Sequence, residues 1–428
     1  MSGVGGAVAL LSLLRRNADY RRLFLATVVS FMGDWFAFVA VSGFVTESTG
    51  RGGLAAVVYA ASVLPVFLVS PIAGVVADRV DRRRLLVTVD LVRIVPALGM
   101  VPAMWWNAPW LMIACVVALA ALSAFFEPIT GAVVPNLVEP EDLPLAQAAL
   151  GSVWGTMLLV GAGVGGMVSV LLGRQASFVI DAATFLIAAG LVARIRRPFQ
   201  QARLATEASF LGHLGEVWAF ARQNFSARAL LVTKGGVGLA NGIVGLLPAF
   251  AHARFSSGDE GVGVLLAARG AGALIGPFFA QFFVRGDPRR LFVACGGATI
   301  CYGLAYAFLP LTATLLVAAA CVVLAHLGGG AQWVLSTYGL QTSTPDGIRG
   351  RVMTIDFGLA TLAIGASSLF AAGAAEATSI EAASWALSLV AVAYGVVWLW
   401  WTRSLWRPRR ESGDTEPERR NAARSRTS

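Results

Sequence analysis

Charge is scarce in this chain. Asp, Glu, Lys and Arg make up 13% of its 428 residues, against about 25% in a soluble domain. Lysine is nearly missing, with Lys234 alone among 33 basic residues. Three histidines and four cysteines without metal-ligand spacing offer no zinc site and no nucleophile triad. No metal, no cofactor and no enzymatic activity are therefore expected. Cys115, Cys295, Cys301 and Cys321 all fall inside apolar runs and read as packing residues. No phosphate-cradling loop of the Walker type occurs, which argues against ATP drive within this chain.

What fills the space is apolar: hydrophobic residues are 57% of the total. A bilayer span needs about 20 such residues in a row, and the chain supplies twelve runs. They cover 22–46, 53–76, 84–104, 108–131, 147–172 and 175–194, then 228–252, 260–284, 289–311, 313–338, 352–374 and 379–402. Several are interrupted by Gly or Pro, as helices packed inside a membrane protein tolerate. The fold class expected is an all-α integral membrane protein with twelve spans.

The formal net charge of +9 would suit nucleic acid, but the basic residues are placed otherwise. With the N-terminus inside, 27 of the 33 fall in cytoplasmic segments, including Arg79, Arg82, Arg83, Arg84 and eight in the tail. Three (Arg51, Arg174, Arg254) fall outside and three (Arg93, Lys234, Arg269) within spans. This asymmetry predicts cytoplasmic termini and a topological role for Arg84. The apolar stretch Val4 to Leu14 precedes its arginines, so no cleaved signal peptide is expected. The bias to Arg, Ala and Gly points to a GC-rich bacterial genome and a plasma-membrane address.

One long polar connection divides the spans six and six, and the halves resemble each other. A shift of 206 residues lays ADRVDRRRLLV (77–87) over FVRGDPRRLFV (283–293), and a shift of 205 lays Pro140-Glu141 over Pro345-Asp346. Two nearly equal offsets favour a duplicated six-helix unit. The organisation expected is a bundle over 1–194, a linker over 195–227, a second bundle over 228–402 and a disordered tail over 403–428. In the linker, Leu211, Leu214, Val217, Trp218, Ala221 and Phe225 share helical spacing, as in a helix lying in the membrane interface.

The run from Gly74 to Leu85, GVVADRVDRRRL, carries the most specific pattern. Gly74, Asp78, Arg79, Arg82 and Arg83 resemble the loop signature of the major facilitator superfamily between its second and third helices. Asp81 stands where that family usually has a second glycine. The stretches at 20–36, 134–148, 178–186 and 345–353 also resemble the branch of the enterobactin exporter and the macrolide-efflux-like proteins. The resemblance implies two six-helix bundles rocking by alternating access around a site near the midplane. It also places the eleventh helix near Asp78, whose carboxylate can accept hydrogen bonds from exposed amides and hold the cytoplasmic side shut. Arg79, Arg82 and Arg83 would then bridge acids or lipid. Antiporters of the superfamily tend to carry a glycine-rich motif on helix 5. Gly161, Gly165 and Gly166 match it in part, with alanine at its proline, and close packing explains them equally.

Charges inside spans are costly and are functional candidates by default. Asp34 lies near the middle of the first span, where burial favours a neutral carboxyl and a basic partner an ionised one. It either couples protons, binds a cationic group or forms a structural ion pair. Arg269, mid-way along the eighth span, is its candidate partner. Asp90 and Arg93, three apart, suit an ion pair on one helix face belonging to the cytoplasmic gate. The arginine common on helix 4 of proton-coupled relatives is absent, and Glu127 is offered there instead. Lys234, Gly238, Asn241, Gly245 and Pro248 form a stripe on the seventh span, with Asn241 near the repeat position of Asp34. The stripe either lines a cavity or packs. Asp181 and His326 read as structural. Trp35, Phe38, Phe125, Phe126, Trp154 and Trp333 would suit a bulky amphipathic substrate.

The function expected is secondary export of a hydrophobic or amphipathic small molecule, such as a drug, siderophore or natural product, in exchange for protons. The partners are that molecule, protons and lipid, with the chain a monomer. An importer, a lipid flippase and a non-transporting membrane scaffold are the alternatives.

Overall fold

The computed structural model describes residues 3–199, 210–285 and 287–407. The expected tail therefore lies outside the described residues beyond 407, as does much of the linker, and as do the side chains of Asp78 and Glu127. Everything described is helix or short connection. After α1 (Gly3–Arg16) come α2 (Ala18–Thr49), α3 (Gly52–Arg79), α4 (Arg82–Trp105), α5 (Pro109–Ser123), α6 (Phe126–Leu137), α7 (Leu143–Leu172) and α8 (Arg174–Ala193). Then follow α9 (Phe210–Gln223), α10 (Phe225–Gly238), α11 (Gly242–Ala249), α12 (Gly258–Val284), α13 (Pro288–Phe308), α14 (Leu315–Ser343), α15 (Asp346–Ala377), α16 (Ile380–Trp401) and the single turn α17 (Arg403–Trp406).

Eleven of the described helical segments are long and apolar enough to cross a membrane. The fourth predicted span is the exception, because it breaks into α5 and α6 at Ala124–Phe125. Pro128 contributes to the break: it has no N–H to donate to residue 124, so an unbroken ladder cannot pass through. The seventh span is broken too, with a turn at 239–241 between α10 and α11 and a π-helical turn over Phe250–Arg254. The first break is held from α15, where Ser367 donates to the Gly238 carbonyl (2.8 Å) and accepts from the Gly242 amide (2.9 Å). Freed backbone groups inside a membrane need such partners.

The termini of the helices explain the sequence repeat. Asp81, at the position where the family has glycine, caps α4 by accepting from the Arg84 amide at 2.8 Å. Its repeat counterpart Asp287 caps α13 by accepting from the Arg289 amide at 2.8 Å. Both copies thus keep an aspartate as helix N-cap. The arginine cluster beside the first cap is anchored at its own end. Arg83 donates to the Arg197 carbonyl (2.7 Å) and lies over the Phe199 ring, so it ties α4 to the chain leaving α8 and pairs with no acid among the described residues.

α1 was not among the predicted spans and packs its buried Leu13 against the same cluster as Tyr20 and Leu23. The expected interfacial helix is α9. α9 packs against α10 and α15 with Val217 and Ala221 buried, while Trp218 stays exposed. Two helix pairs form the principal contacts between residues on either side of the linker, α7 with α12 and α3 with α15. Gly166 and Gly263 bring α7 and α12 together, since a Cβ on Gly166 would stand 2.9 Å from the Asp259 carbonyl and 3.1 Å from the Gly263 Cα. Gly161 and Gly165 face α2 at Trp35 and Phe36. The glycine motif is therefore a packing face that serves two neighbours at once.

The capping role of Asp81 has a measurable consequence. Asp81→Ala should lower stability by about 1 kcal/mol, read as a fall in the melting temperature of the purified protein, while Asp81→Asn should be nearly neutral.

Candidate functional site

Asp34 stands at the midpoint of α2, and its counter-charge is not Arg269. It accepts two hydrogen bonds from Arg93 of α4, at 2.7 and 3.0 Å. Arg93 also donates to Ser30 (3.1 Å), lies over the Phe185 ring at 4.0 Å and stands 3.6 Å from Asp90. It sits mid-way along α4 and only 3% of its side chain is exposed. The expected Asp90–Arg93 pair therefore belongs to this interior group and not to a gate at the helix end. Asp181 of α8 completes the group. A Cβ on Gly33, the neighbour of Asp34, would stand 2.6 Å from an Asp181 oxygen, so α2 and α8 meet there.

Three carboxylates thus surround one guanidinium. Both oxygens of Asp90 and of Asp181 are buried without a hydrogen-bond partner. Asp34 differs: 31% of its side chain is exposed, although it lies at the centre of a spanning helix. It is the one acid of the group that faces open space, with the others behind it.

A second buried pair lies in the other half. Lys234 of α10 binds Asp356 of α15, donates to Thr337 at 2.9 Å and stands 4.7 Å from the Trp333 ring. Asp356 carries the same signal as Asp34, a carboxylate inside a predicted span, and is absent from the sequence candidates. Asn241, at the break between α10 and α11, accepts from the Tyr59 hydroxyl (2.8 Å) and donates to Tyr302 (3.2 Å). Arg269 donates to Tyr59 at 3.0 Å and has no carboxylate in ion-pair distance among the described residues. His326 bonds Tyr306 at 2.9 Å, in keeping with a structural reading.

Sequence reasoning missed the charges that close one end of the molecule. Arg174, opening α8, binds Asp259 of α12 with two bonds of 2.8 Å and Glu47 of α2 at 2.7 Å. Ser169 also donates to Asp259, and His252 stands 3.6 Å away. Beside them Arg51 pairs with Glu376 of α15 at 2.7 Å, and the Gly53 amide donates to the same carboxylate at 3.1 Å. These residues lie at span ends, where a charge carries no burial signal in sequence.

The opposite end is parted. On α3, Leu64 and Phe67 meet α15 at Gly365 and Gly358, but a Cβ on Gly74, farther along the same face, would meet nothing within 4 Å. On α7, contact with α12 runs from Gly166 to Gly155, while Gly151 meets nothing within 4 Å. The crossing pairs diverge beyond their midpoints. Gly74 and Gly151 lie on the side of the molecule that carries the arginine cluster, away from the Arg174 and Arg51 pairs.

A membrane bundle sealed at one end, with charges at its middle, is a carrier architecture, and the comparisons agree. Residues 9–422 match the model described as transmembrane secretion effector. The chain belongs to this family of the major facilitator superfamily, one of transporters and not of enzymes. It is 26% identical over 411 residues to the multidrug efflux pump Tap of Mycobacterium tuberculosis, covering 89% of this chain and 94% of that one. It is 28% identical over 199 residues to macrolide efflux protein A of Streptococcus pyogenes, covering 45% of this chain and 49% of that one. Among solved structures, the nucleoside transporter NupG superposes with a TM-score of 0.67 at 14% identity, covering 91% of this chain and 99% of that one. A bacterial homologue of the lysosomal transporter Spinster gives 0.66 at 14%, covering 91% and 96%. These likenesses establish an all-helical membrane protein of the major facilitator fold, with eleven to twelve apolar spans.

Arg93 should be indispensable to folding. Removing one partner of a buried ion pair costs about 3–5 kcal/mol, so Arg93→Met should cut the yield of folded protein severalfold. Arg93→Met combined with Asp34→Leu should restore part of it, as size-exclusion profiles in mild detergent would record.

Proposed function

We propose that this transporter exports hydrophobic or amphipathic small molecules in exchange for protons. The observation that carries the reading is the exposed Asp34 carboxylate at mid-helix, bonded to an Arg93 that is itself flanked by unsatisfied Asp90 and Asp181. Three carboxyl groups share this one guanidinium, so the charges of the group do not balance while all three acids are ionised. When a proton reaches Asp34 from the cavity, Arg93 is released toward Asp90, 3.6 Å away. When Asp34 gives it up, Arg93 returns. One guanidinium moving between two carboxylates makes the charge at the cavity wall depend on which side supplied the proton.

Alternating access is supplied by the two ends. In this reading residues 1–194 and 228–402 move as two bodies about the α7–α12 and α3–α15 contacts. The arginine asymmetry supports an orientation with both termini and the open end in the cytoplasm and the Arg174–Asp259 and Arg51–Glu376 pairs outside. The conformation is then inward-open, and the Gly74 to Leu85 run, with Asp78 as its latch, is the gate that closes in the other state. Trp35, Phe38 and Trp154 beside the cavity fit an amphipathic cargo. The likeness to Tap, a multidrug efflux pump, and to macrolide efflux protein A supports export of drug-like molecules. A bacterial plasma membrane and a single-chain unit complete the proposal, with Glu127 and Asn241 further candidates for the pathway.

Asp34→Asn tests the coupling. In everted vesicles with an imposed pH gradient, the variant should lose gradient-driven accumulation of a fluorescent drug at least tenfold yet keep passive exchange. Active transport at the wild-type rate would refute the role, and uptake in the reverse sense would make the protein an importer. The outer pairs give a separate test. Asp259→Asn should weaken the sealed end, so that a cysteine in place of Ser169, which is buried against Asp259, reacts severalfold faster with an impermeant maleimide applied from outside.

A further inference from the structure

Every other cation buried in the described residues has its acid, and Arg269 does not. Arg93 has Asp34 and Asp90, and Lys234 has Asp356. Arg269 is 6% exposed at the middle of α12, and its Nε has no hydrogen-bond partner. What surrounds it is neutral. Tyr59 accepts one bond, and the rings of Tyr59 and Trp154 lie 5.5 and 5.7 Å from the guanidinium carbon. Cation–π contact and one phenol offset only part of the desolvation of a full charge.

The neighbouring polar groups are arranged around the same point. The Tyr59 hydroxyl passes its own proton to Asn241, Asn241 donates to Tyr302, and the Tyr302 ring packs against Tyr306 and His326. The chain of bonds crosses from α3 to α11 and α13, and so between the two halves. None of these groups is a carboxylate, so nothing in the cluster supplies the missing negative charge. Trp154, by contrast, is 43% exposed, and it connects the buried cation to open space.

We infer that Arg269, held by Tyr59 and edged by Trp154, is a binding point for an oxyanion on an amphipathic ligand, a carboxylate or a phosphate group. A guanidinium binds such groups through paired charge-assisted hydrogen bonds, and the free Nε edge is the one that remains to donate. Apolar parts of the ligand lie along Trp154 and along Trp35 and Phe38, the last two running edge-to-face toward Tyr59 with centroids 5.6 Å (Trp35–Phe38) and 6.2 Å (Phe38–Tyr59) apart. Because the bond network joins both halves, binding there is sensitive to their relative position. The inference rests on the proposed export for the ligand being cargo; the site itself does not need it.

The test uses two probes that differ only in charge, dansylaminoundecanoic acid and its primary amide, titrated into the full-length protein in phosphatidylcholine nanodiscs by tryptophan-to-dansyl energy transfer. The acid should bind at least about tenfold tighter than the amide, the equivalent of one good charged contact. Arg269→Gln should equalise the two, and Arg269→Lys should keep part of the preference. Should Arg269→Gln fail to fold, Tyr59→Phe, which loses only the hydroxyl, should reduce the preference severalfold. Equal binding of both probes by the wild-type protein, or a preference unchanged in the variants, overturns the inference. Discs containing phosphatidylglycerol separate the two sources of oxyanion. Loss of the acid's advantage there assigns the group to a lipid headgroup, and its persistence to a free amphiphile. Proton-driven transport of both probes is measured in parallel. Acid-selective binding without transport would sink export and leave the site, whereas equal binding and transport of both would do the reverse.

Discussion

A charge placed in hydrocarbon must find its opposite, and the places where this chain meets that demand organise the molecule. Asp34 and Arg93 tie α2 to α4, with Asp90 and Asp181 adding α8 to the same knot. Lys234 and Asp356 tie α10 to α15. Each of these pairs joins helices from one side of the linker and lies deep, where separation would strand both partners. The pairs that cross between the sides, Arg174 with Asp259 and Arg51 with Glu376, lie instead at helix ends, the second of them well exposed and the first with only its arginine reaching the surface. An ion pair next to water separates at little cost because solvent takes over each partner. Ties within each half thus lie in its interior, and the ion pairs that cross between the halves lie at helix ends.

The same division governs the apolar contacts. Within the membrane there is no hydrophobic drive for helix association, and close approach does the work. Gly166 on Gly263 allows α7 and α12 to touch backbone to backbone near the sealed end, while a Cβ on Gly151, farther along α7, or on Gly74, at the far end of α3, would meet nothing within 4 Å. The helices of the two halves are therefore joined over part of their length and free over the rest. Rocking about the joined part needs no helix to unfold, and the breaks in α5–α6 and α10–α11 give the innermost spans their own points of bending.

Much of this was legible in the residues before any fold was known. The apolar runs led to an all-helical membrane bundle, and the paired DRRR and DPRR segments each turn out to supply an aspartate cap, Asp81 and Asp287. The rarity of buried charge also pointed to Asp34, Arg93 and Arg269. What was not legible was who pairs with whom. Arg269 suits Asp34 by depth along the chain, but depth does not set rotation about a helix axis, and Arg93 is the residue whose helix faces Asp34. Asp90 and Arg93 looked like a gate pair because three residues separate them, yet a third residue from another helix takes the stronger bonds.

By itself the sequence determined everything that depends on period and composition: which segments enter the membrane, where the repeat lies and which charges pay for burial. These are one-dimensional properties, because each helix satisfies its backbone internally and a span is apolar or not along its own length. Tertiary structure alone decided the rest. It gave Arg93 to Asp34 and left Arg269 with phenols, assembled Arg174, Glu47 and Asp259 from three separate helix ends, and parted the faces at Gly74 and Gly151. Those outcomes turn on the rotation and tilt of whole helices, which many weak side-chain contacts set together and no local pattern records.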